Sequence, residues 1–318
     1  NAGKGDIEIG ALALIEGYEA KLKTKEGSVH LGDAAFVITS NAFEIEAARD
    51  IRVDGDFTVL DVSLGDAADK LVRFETTAGD IAFADNASMQ TQGSVQIVSG
   101  NDVRSGDNAN IATEADPDDD APHDVNLQAS GSVAFGEHAQ LQTKGAIAVA
   151  GVEGVSFAAD AQLGSSAGSV RIESAEGSIA FTGGANAYAE ESLVISAGES
   201  VTLTGESWLD AFEELSVTAE RGDILMTDSV RLGGVDDSSN VATKEMTLAA
   251  AGSIRQQNIA ADMGLTAEHL TVTAGEDVLL GAVDNGLGET GNSISSANIQ
   301  TGGALSLGLA YISTDLTI

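Results

Sequence analysis

The sequence contains no cysteine and very little proline, and both absences exclude classes of structure and chemistry. Its 318 residues include no Cys, 2 Pro and 4% aromatic residues. Without thiols the chain can form neither disulfide bonds nor thiolate metal sites, and it has no cysteine nucleophile. Scarce proline suits a fold in which almost every strand donates backbone N–H groups to neighbouring strands.

Positive charge is also scarce. Lys and Arg number 15 against 50 Asp and Glu, which gives a formal net charge of -35 at pH 7. This balance excludes a nucleic-acid partner bound through basic patches. No apolar run is long enough to cross a bilayer, so we expect no transmembrane segment. With 43% hydrophobic residues, the chain nevertheless has enough apolar material to fold around a core.

A short motif recurs along the chain: a glycine, a small or acidic residue, and then apolar–x–apolar. Seven copies of the motif begin at Gly5, Gly27, Gly79, Gly93, Gly131, Gly177 and Gly222. Alternation with period two predicts short strands that bury one face, and the glycine marks the turn that starts each strand.

The spacing of this motif predicts the architecture. One series of first apolar residues advances by a nearly constant interval, through Val133, Val155, Ile179, Val201 and Ile224. A second series keeps the same interval, through Ile147, Val170, Leu193 and Leu215. Such a repeat predicts an all-β, right-handed parallel β-helix (β-solenoid) with coils of about 22–24 residues. A pair of β-sandwiches is the alternative fold, and leucine-rich repeats are excluded because no Leu–Asn ladder or helical pattern is present.

We predict one solenoid domain over residues 1–318, interrupted by three excursion loops. The loops are expected at about 101–124, 235–241 and 284–292, where the repeat loses its phase. The first loop contains both prolines, Pro117 and Pro122. The side chains expected to point inward are Val133, Phe135, Ile147, Val149, Val170, Ile172, Ile179, Phe181, Leu193, Ile195, Val201, Leu203, Ile224 and Met226.

From Leu193 onward the repeat takes a more specific form. The segments 193–205 and 270–281 read LVISAGESVTLTG and LTVTAGEDVLLG. This LxVxAGxxVxL pattern resembles the repeat regions of filamentous-haemagglutinin-like large exoproteins. The resemblance implies a right-handed parallel β-helix, secretion across the bacterial outer membrane, and an extracellular role as a surface adhesin or fibre. Glycans of host cells or cell surfaces are the partners expected for such an adhesin.

The predicted function is therefore structural, a rigid shaft segment without catalysis. The alternative is a carbohydrate-active β-helix enzyme, of the polysaccharide lyase or glycosidase type, because many parallel β-helices have such activities. These enzymes need rigidly held carboxylates and aromatic platforms for sugar rings. The clustered carboxylates of residues 118–120 lie in a predicted loop. The aromatic candidates, Trp208, Tyr18, Tyr188 and Tyr311, are scattered along the sequence, so we expect no sugar-stacking groove and no enzyme.

Calcium is the one cofactor that the sequence suggests. The expected ligands are five carboxylates in the largest predicted loop, Asp116, Asp118, Asp119, Asp120 and Asp124. Carboxylate oxygens are the hard ligands that Ca²⁺ prefers, although this stretch does not match an EF-hand loop. A smaller acidic pair is formed by Asp236 and Asp237. Four histidines lie far apart, without the spacing of a shared metal site: His30, His123, His138 and His269.

Strand-like sequence continues to both ends of the chain, at Gly5–Ile9 and at Asp315–Ile318. An open solenoid end exposes unpaired backbone groups unless a cap or another coil covers it. No cap is legible in the sequence. We therefore expect either neighbouring coils of a longer polypeptide or axial self-association, with divalent cations reducing the repulsion between acidic copies.

Overall fold

The computed structural model describes residues 4–33, 35–60, 71–113, 122–233, 243–257, 264–282, 294–309 and 312–318. Within these ranges the chain forms strands, turns and bends but no helix, and therefore none that could cross a membrane. The strands pair in parallel with the equivalent strands of the preceding and following coils. The predicted all-β parallel solenoid is confirmed.

Each regular coil contributes strands to three ladders, which we call the first, second and third sheets in the order in which the chain visits them. The chain divides into two compact units, residues 1–168 and 169–318, called here the N-terminal and C-terminal units. Each unit is described by itself. The prediction that residues 1–318 form one domain stays a prediction.

In the N-terminal unit the first sheet contains β1 (Ile7–Ile9), β3 (Val29–Leu31), β5 (Ile51–Val53), β8 (Ile81–Phe83), β11 (Val103–Ser105), β14 (Ser132–Phe135) and β17 (Gly154–Phe157). The second sheet contains β6 (Asp56–Leu60), β9 (Ser88–Thr91), β12 (Asn110–Thr113), β15 (Gln140–Thr143) and β18 (Gln162–Ser165). The third contains β7 (Leu71–Thr76), β10 (Ser94–Ser99), β13 (Val125–Ala129) and β16 (Ile147–Gly151). Two longer strands, β2 (Leu14–Lys23) and β4 (Ala35–Ala47), cover the second and third positions of their coils, since β4 pairs with both β6 and β7.

In the C-terminal unit the first sheet contains β20 (Ser178–Phe181), β23 (Val201–Leu203), β26 (Ile224–Thr227), β29 (Ile254–Gln257), β31 (Val278–Ala282) and β33 (Leu305–Leu309). The second sheet contains β21 (Asn186–Ala189), β24 (Trp208–Ala211) and β27 (Arg231–Leu232). The third contains β19 (Val170–Ser174), β22 (Ser192–Ala197), β25 (Glu214–Ala219), β28 (Thr243–Ala250), β30 (Ala267–Ala274), β32 (Ile294–Thr301) and β34 (Ile312–Thr317).

The core follows directly from the period-two pattern, because successive residues of a strand point to opposite faces of the sheet. In β14, Val133 and Phe135 are buried while Ala134 is partly exposed. The register aligns Val133 with Val155 and Phe135 with Phe157, and the two phenylalanine rings stack at a centroid distance of 4.9 Å. All the side chains predicted to point inward are buried, none more than 3% exposed, so this prediction is confirmed.

The register also defines the length of a coil, and some coils are longer than their neighbours. Val133 pairs with Val155 across a regular coil, whereas Val103 pairs with Val133 across a coil that contains additional residues. The additional residues fall between β12 and β13, so the strands before and after them keep their register. Insertions are therefore accommodated at a corner without disturbing the ladders.

The first excursion loop is shorter than predicted. Strands β11 and β12 lie inside the range 101–124, so the prediction was wrong for these two strands, which pair with the equivalent strands of the neighbouring coils. The strand signal is weak here because Ser105 occupies the inward position that Phe135 fills in the next coil. Residues 114–121, and the loops predicted at 235–241 and 284–292, lie outside the described residues.

Candidate binding surface

An Asp or Ser side chain just before a first-sheet strand, in several coils the residue after the motif glycine, accepts a hydrogen bond from the next coil. In the N-terminal unit, Asp102 Oδ1 accepts the backbone N–H of Ser132, one coil further on, at 2.8 Å. The same bond recurs just before other strands of the first sheet. Written as acceptor–donor, the pairs are Asp6–Ser28, Asp50–Asp80, Asp80–Asp102, Ser178–Ser200, Ser200–Asp223, Asp223–Ser253, Ser253–Asp277 and Asp277–Ala304. We call this series the corner ladder.

The glycine of the motif is required by the same contact. A Cβ atom on Gly131 would lie closer than 3.0 Å to the carboxylate of Asp102, and one on Gly252 would meet Asp223 in the same way. At these two steps the acceptor in one coil leaves no room for a Cβ at the residue before the donor, whereas Asn101, Glu199 and Glu276 occupy that position at other steps of the ladder. Sequence reasoning recognised the motif as a turn, but the contact between coils that explains it is visible only in the structure.

The predicted calcium ligands divide between described and undescribed parts of the chain. The positions outside the described residues are Asp116, Asp118, Asp119 and Asp120, and the acidic pair Asp236 and Asp237. Asp124 is described, and its Oδ1 accepts the backbone N–H of Ala146 at 2.8 Å, as in the corner ladder. The described ranges contain no group of three or more His, Asp or Glu side chains that could hold a metal ion. Calcium binding stays a prediction.

The histidines are separate from one another, each in a local contact of its own. His30 Nε2 lies 2.7 Å from Asp54 Oδ2, and His269 Nδ1 lies 2.8 Å from Ser296 Oγ. His138 takes a left-handed conformation in a turn, with φ of 56°. His123 is buried, and its carbonyl oxygen accepts a hydrogen bond from the hydroxyl of Thr143. These contacts are structural, and the described geometry brings no two histidines into one site.

A ladder of opposite charges joins β2 to β4 in the N-terminal unit. Lys21 Nζ lies 2.5 Å from Glu44 Oε2, and both Lys21 and Lys23 contact the carboxylate of Glu46. Hydrogen bonds from Lys21 and then Lys23 lower the pKa of Glu46 from 4.5 to about 2. The pairing neutralises the lysines, so this cluster stabilises two neighbouring coils rather than presenting a basic site.

The outer face of the second sheet in the C-terminal unit carries the side chains best suited to hold a ligand. The register places Trp208 between Asn186 and Arg231, and it places Tyr188 beside Asp210. Because these five residues occupy outward positions of three neighbouring strands, their side chains share one face. We call Asn186, Tyr188, Trp208, Asp210 and Arg231 the aromatic surface.

Charged and polar groups hold the aromatic rings of this surface in place. The Arg231 guanidinium carbon lies 5.1 Å from the centre of the Trp208 ring, a cation–π contact, and Arg231 Nε donates to the carbonyl of Gly233. The Tyr188 hydroxyl donates to the carboxylate of Glu190. Asp210 also occupies an outward position, but it is only 8% exposed.

One donor on the aromatic surface is left without a partner. The Trp208 Nε1–H is buried and makes no hydrogen bond to any described residue. A buried donor without an acceptor costs about 1–3 kcal/mol. Other buried atoms of the described residues without a hydrogen-bond partner include Arg73 Nε, Ser105 Oγ and Asn126 Oδ1. The orphan donor marks Trp208 as a side chain whose position is not explained by the hydrogen bonds of the fold.

The expectation that Trp208 and the tyrosines are scattered is wrong for one pair. Asn186 and Trp208 are register partners in consecutive coils, so Tyr188 and Trp208 are diagonal neighbours on the same face. The coil period that predicts the fold contains this information, and applying it to the outward positions would have found the pair. Tyr18 lies on β2 in the N-terminal unit, and Tyr311 lies outside the described residues.

Comparison of the chain with protein-family models, with curated proteins and with solved structures finds no match. The resemblance to filamentous-haemagglutinin-like exoproteins therefore depends on the repeat pattern alone. What the chain does must be argued from the stacked coils, the corner ladder and the aromatic surface.

Proposed function

We propose that the chain is a structural segment of an extracellular bacterial surface adhesin or fibre, in which the stacked coils act as a rigid shaft. The observation that carries this proposal is the corner ladder, which adds a side-chain bond between coils to the backbone bonds of the sheets. In the step from Asp102 to Ser132, for example, the carboxylate bonds the amide that begins the next coil. Coils joined in this way are tied at a corner as well as along their strands.

Buried hydroxyl groups support a rigid shaft at a second corner. In the N-terminal unit, Thr143 Oγ1 accepts the backbone N–H of Gly145, and the Ser165 hydroxyl donates to the Gly145 carbonyl at 2.6 Å. Both hydroxyl groups are buried and satisfy backbone groups where the chain turns from the second sheet to the third. A turn whose polar groups are satisfied internally is held more firmly than one that bonds to water.

The charge of the chain favours axial over lateral contact. A net charge of -35 makes copies repel each other side by side, while pairing of terminal coils would gain backbone hydrogen bonds at one end. Among the described pairings, β1 and β2 are bonded only to the following coil, through β3 and β4. The partners that fit are coils of a longer chain or a second copy stacked along the axis.

Surface labelling tests the adhesin proposal. Antibodies raised against the folded chain should label intact, unpermeabilised cells of the source bacterium in immunogold electron microscopy. A matched antibody against a periplasmic protein serves as the control and should label only permeabilised cells. Labelling by both antibodies only after permeabilisation would contradict an extracellular position.

Sedimentation velocity tests axial assembly. The protein is examined at one high concentration in buffer with calcium and in buffer with chelator, and we expect a larger sedimenting species when calcium screens the acidic surface. Sodium chloride at matched ionic strength separates general screening from a specific calcium effect. A single monomeric species in all three buffers would contradict axial self-association and leave continuation of the coils within one chain.

A further inference from the structure

We propose that the aromatic surface of the C-terminal unit binds a neutral oligosaccharide, with Tyr188 and Trp208 as the two platforms for its sugar rings. This inference goes beyond the shaft, since a shaft needs no ligand. It begins from the register, which places the only tryptophan of the chain diagonally next to one of its three tyrosines. Two aromatic side chains on one flat face supply the apolar contacts that the faces of sugar rings require.

The spacing of the two rings suits a chain of sugars. Neighbouring strands lie about 4.8 Å apart and residues rise about 3.3 Å along a strand, so Cα atoms one strand and two residues apart are separated by about 8 Å. That separation is comparable to the length of a disaccharide. A linked pair of rings can therefore contact both aromatic side chains while lying on the sheet.

The polar groups around the rings complement sugar hydroxyls, which both donate and accept hydrogen bonds. Asn186 offers an amide, Arg231 offers guanidinium donors, and Glu190 offers the carboxylate that holds the Tyr188 hydroxyl. The Trp208 indole N–H still lacks an acceptor among the described residues. Because this N–H is covered in the free protein, a sugar oxygen can supply the missing hydrogen bond only where binding shifts the indole ring or a side chain that covers it.

Charge selects a neutral glycan over an acidic one. Two pairs of glutamates border the aromatic surface where the chain turns from the second sheet to the third: Glu190 with Glu191, and Glu213 with Glu214. The chain as a whole has a net charge of -35. These carboxylates would repel an anionic polymer.

A protein partner fits less well than a glycan. A stable protein interface covers about 800 Å² on each side and has an apolar centre. Among the described residues next to this face, one large apolar side chain is exposed, that of Phe212 at 37%. The Lys244 ammonium lies 4.8 Å from the centre of the Phe212 ring. The surface is narrow and polar at its edges, as expected for a site that holds an extended sugar chain.

Tryptophan fluorescence gives a direct test because Trp208 is the only tryptophan in the protein. The intact chain is titrated with neutral hexasaccharides, cellohexaose, xylohexaose and maltohexaose, and with an oligogalacturonate of equal length. We expect a saturable change in Trp208 emission with at least one neutral hexasaccharide, and weaker binding of the oligogalacturonate. The variant Tyr188→Ala keeps the fluorophore and should weaken binding by about tenfold or more.

The matched control is Tyr18→Ala, which removes an exposed tyrosine of β2 in the N-terminal unit and should leave the titration unchanged. Circular dichroism verifies that both variants keep the β-structure. Isothermal titration calorimetry measures glycan binding to the Trp208→Phe variant, which lacks the fluorophore. The proposal is overturned if no neutral hexasaccharide gives a saturable signal, if Tyr188→Ala binds as tightly as the parent, or if the acidic oligomer binds more tightly. None of these outcomes contradicts the proposal of a structural shaft, because that proposal is tested by cell-surface labelling and by the assembly of stacked coils.

Discussion

The second sheet has the same interior in both units but a different exterior. In the N-terminal unit its buried positions hold Met89, Ile111, Leu141 and Leu163, and in the C-terminal unit they hold Ala187, Leu209 and Leu232. The outward positions hold Ser88, Gln90, Asn110, Ala112, Gln140, Gln142, Gln162 and Gly164 in the first case, and the aromatic surface in the second. The fold therefore constrains one face of each strand and leaves the other free to vary.

The amide-rich face needs no ligand to explain it. Identical or similar amide side chains stacked about 4.8 Å apart can bond to one another along a ladder, as Asn and Gln do in other stacked parallel sheets. Gln140 and Gln162 are partners of this kind. The aromatic surface lacks such self-pairing, because Trp208 lies between an amide and a guanidinium. This difference distinguishes the amide-rich face, whose side chains can bond to one another, from the aromatic surface proposed to bind a ligand.

The largest expected loss of stability comes from a change on the buried face of a strand, compared with a change on its outward face. Leu141→Ala removes a fully buried side chain of β15 and should lower the free energy of unfolding by about 2–5 kcal/mol. Gln142→Ala, its exposed neighbour, should change it by less than about 0.5 kcal/mol. Urea denaturation followed by circular dichroism measures both. Similar losses in the two variants would contradict the division into a constrained and a free face.

A smaller loss is expected at the corner, where glycine is required. Gly131→Ala places a Cβ against the carboxylate of Asp102 and should cost about 1–3 kcal/mol. The control is Gly164→Ala on the outward face of β18, where a Cβ meets nothing within 4 Å. That change should be neutral or stabilising, because alanine has less backbone freedom to lose. Equal behaviour of the two alanines would mean that the corner ladder does not restrict the glycine.

The carboxylate of the corner ladder should contribute about 1–2 kcal/mol. Asp102→Ala leaves the Ser132 N–H without its acceptor, while Asp102→Ser should cost less because serine serves at the equivalent positions 178 and 200. Since alanine at 102 also frees space for a Cβ on Gly131, the double variant with Gly131→Ala should lose less stability than the sum of its parts. Strict additivity in this double-mutant cycle would show that the two residues do not interact.

The smallest effect belongs to the exposed charge ladder between β2 and β4. Glu46→Gln should cost about 0.2–1 kcal/mol at neutral pH, as is usual for solvent-accessible ion pairs. The pKa of Glu46 falls from 4.5 to about 2 on folding, so its contribution is complete above pH 4.5 and disappears as the pH falls toward 2. Stability of parent and variant measured across this range should therefore converge in acid. A constant difference down to pH 2 would contradict the assignment.

The coil and its interior could be predicted from the sequence because they depend on two periods. Alternation identifies Val133 and Phe135 as inward, and the coil repeat then identifies Val155 and Phe157 as their partners. The residue after the glycine does not predict the bond between coils, because Asp and Ser also favour ordinary turns. Its bond to the next coil depends on how closely the corners stack, which no local pattern reveals.

The candidate site was harder to predict than the fold. Trp208 and Tyr188 lie far apart in the sequence, and only the coil register places them on neighbouring strands. The strand β11 escaped notice because a serine at 105 interrupts the apolar triplet, and burial there depends on Phe83 and Phe135 in the neighbouring coils. In both cases a neighbouring coil supplies the context that decides the role of a residue.

The corner ladder makes the length of the protein adjustable in whole coils. Removing residues 81–102, which form one coil, would join Gly79 and Asp80 directly to Val103, so that a glycine and an acidic residue again precede a first-sheet strand. The register then brings Val103 onto Ile51, and the next coil meets the strands that the deleted coil had covered. A duplication of the same segment would extend the stack by the reverse operation. At the junction of the shortened chain, Asp80 would take the place of Asp102 as the acceptor for the Ser132 N–H.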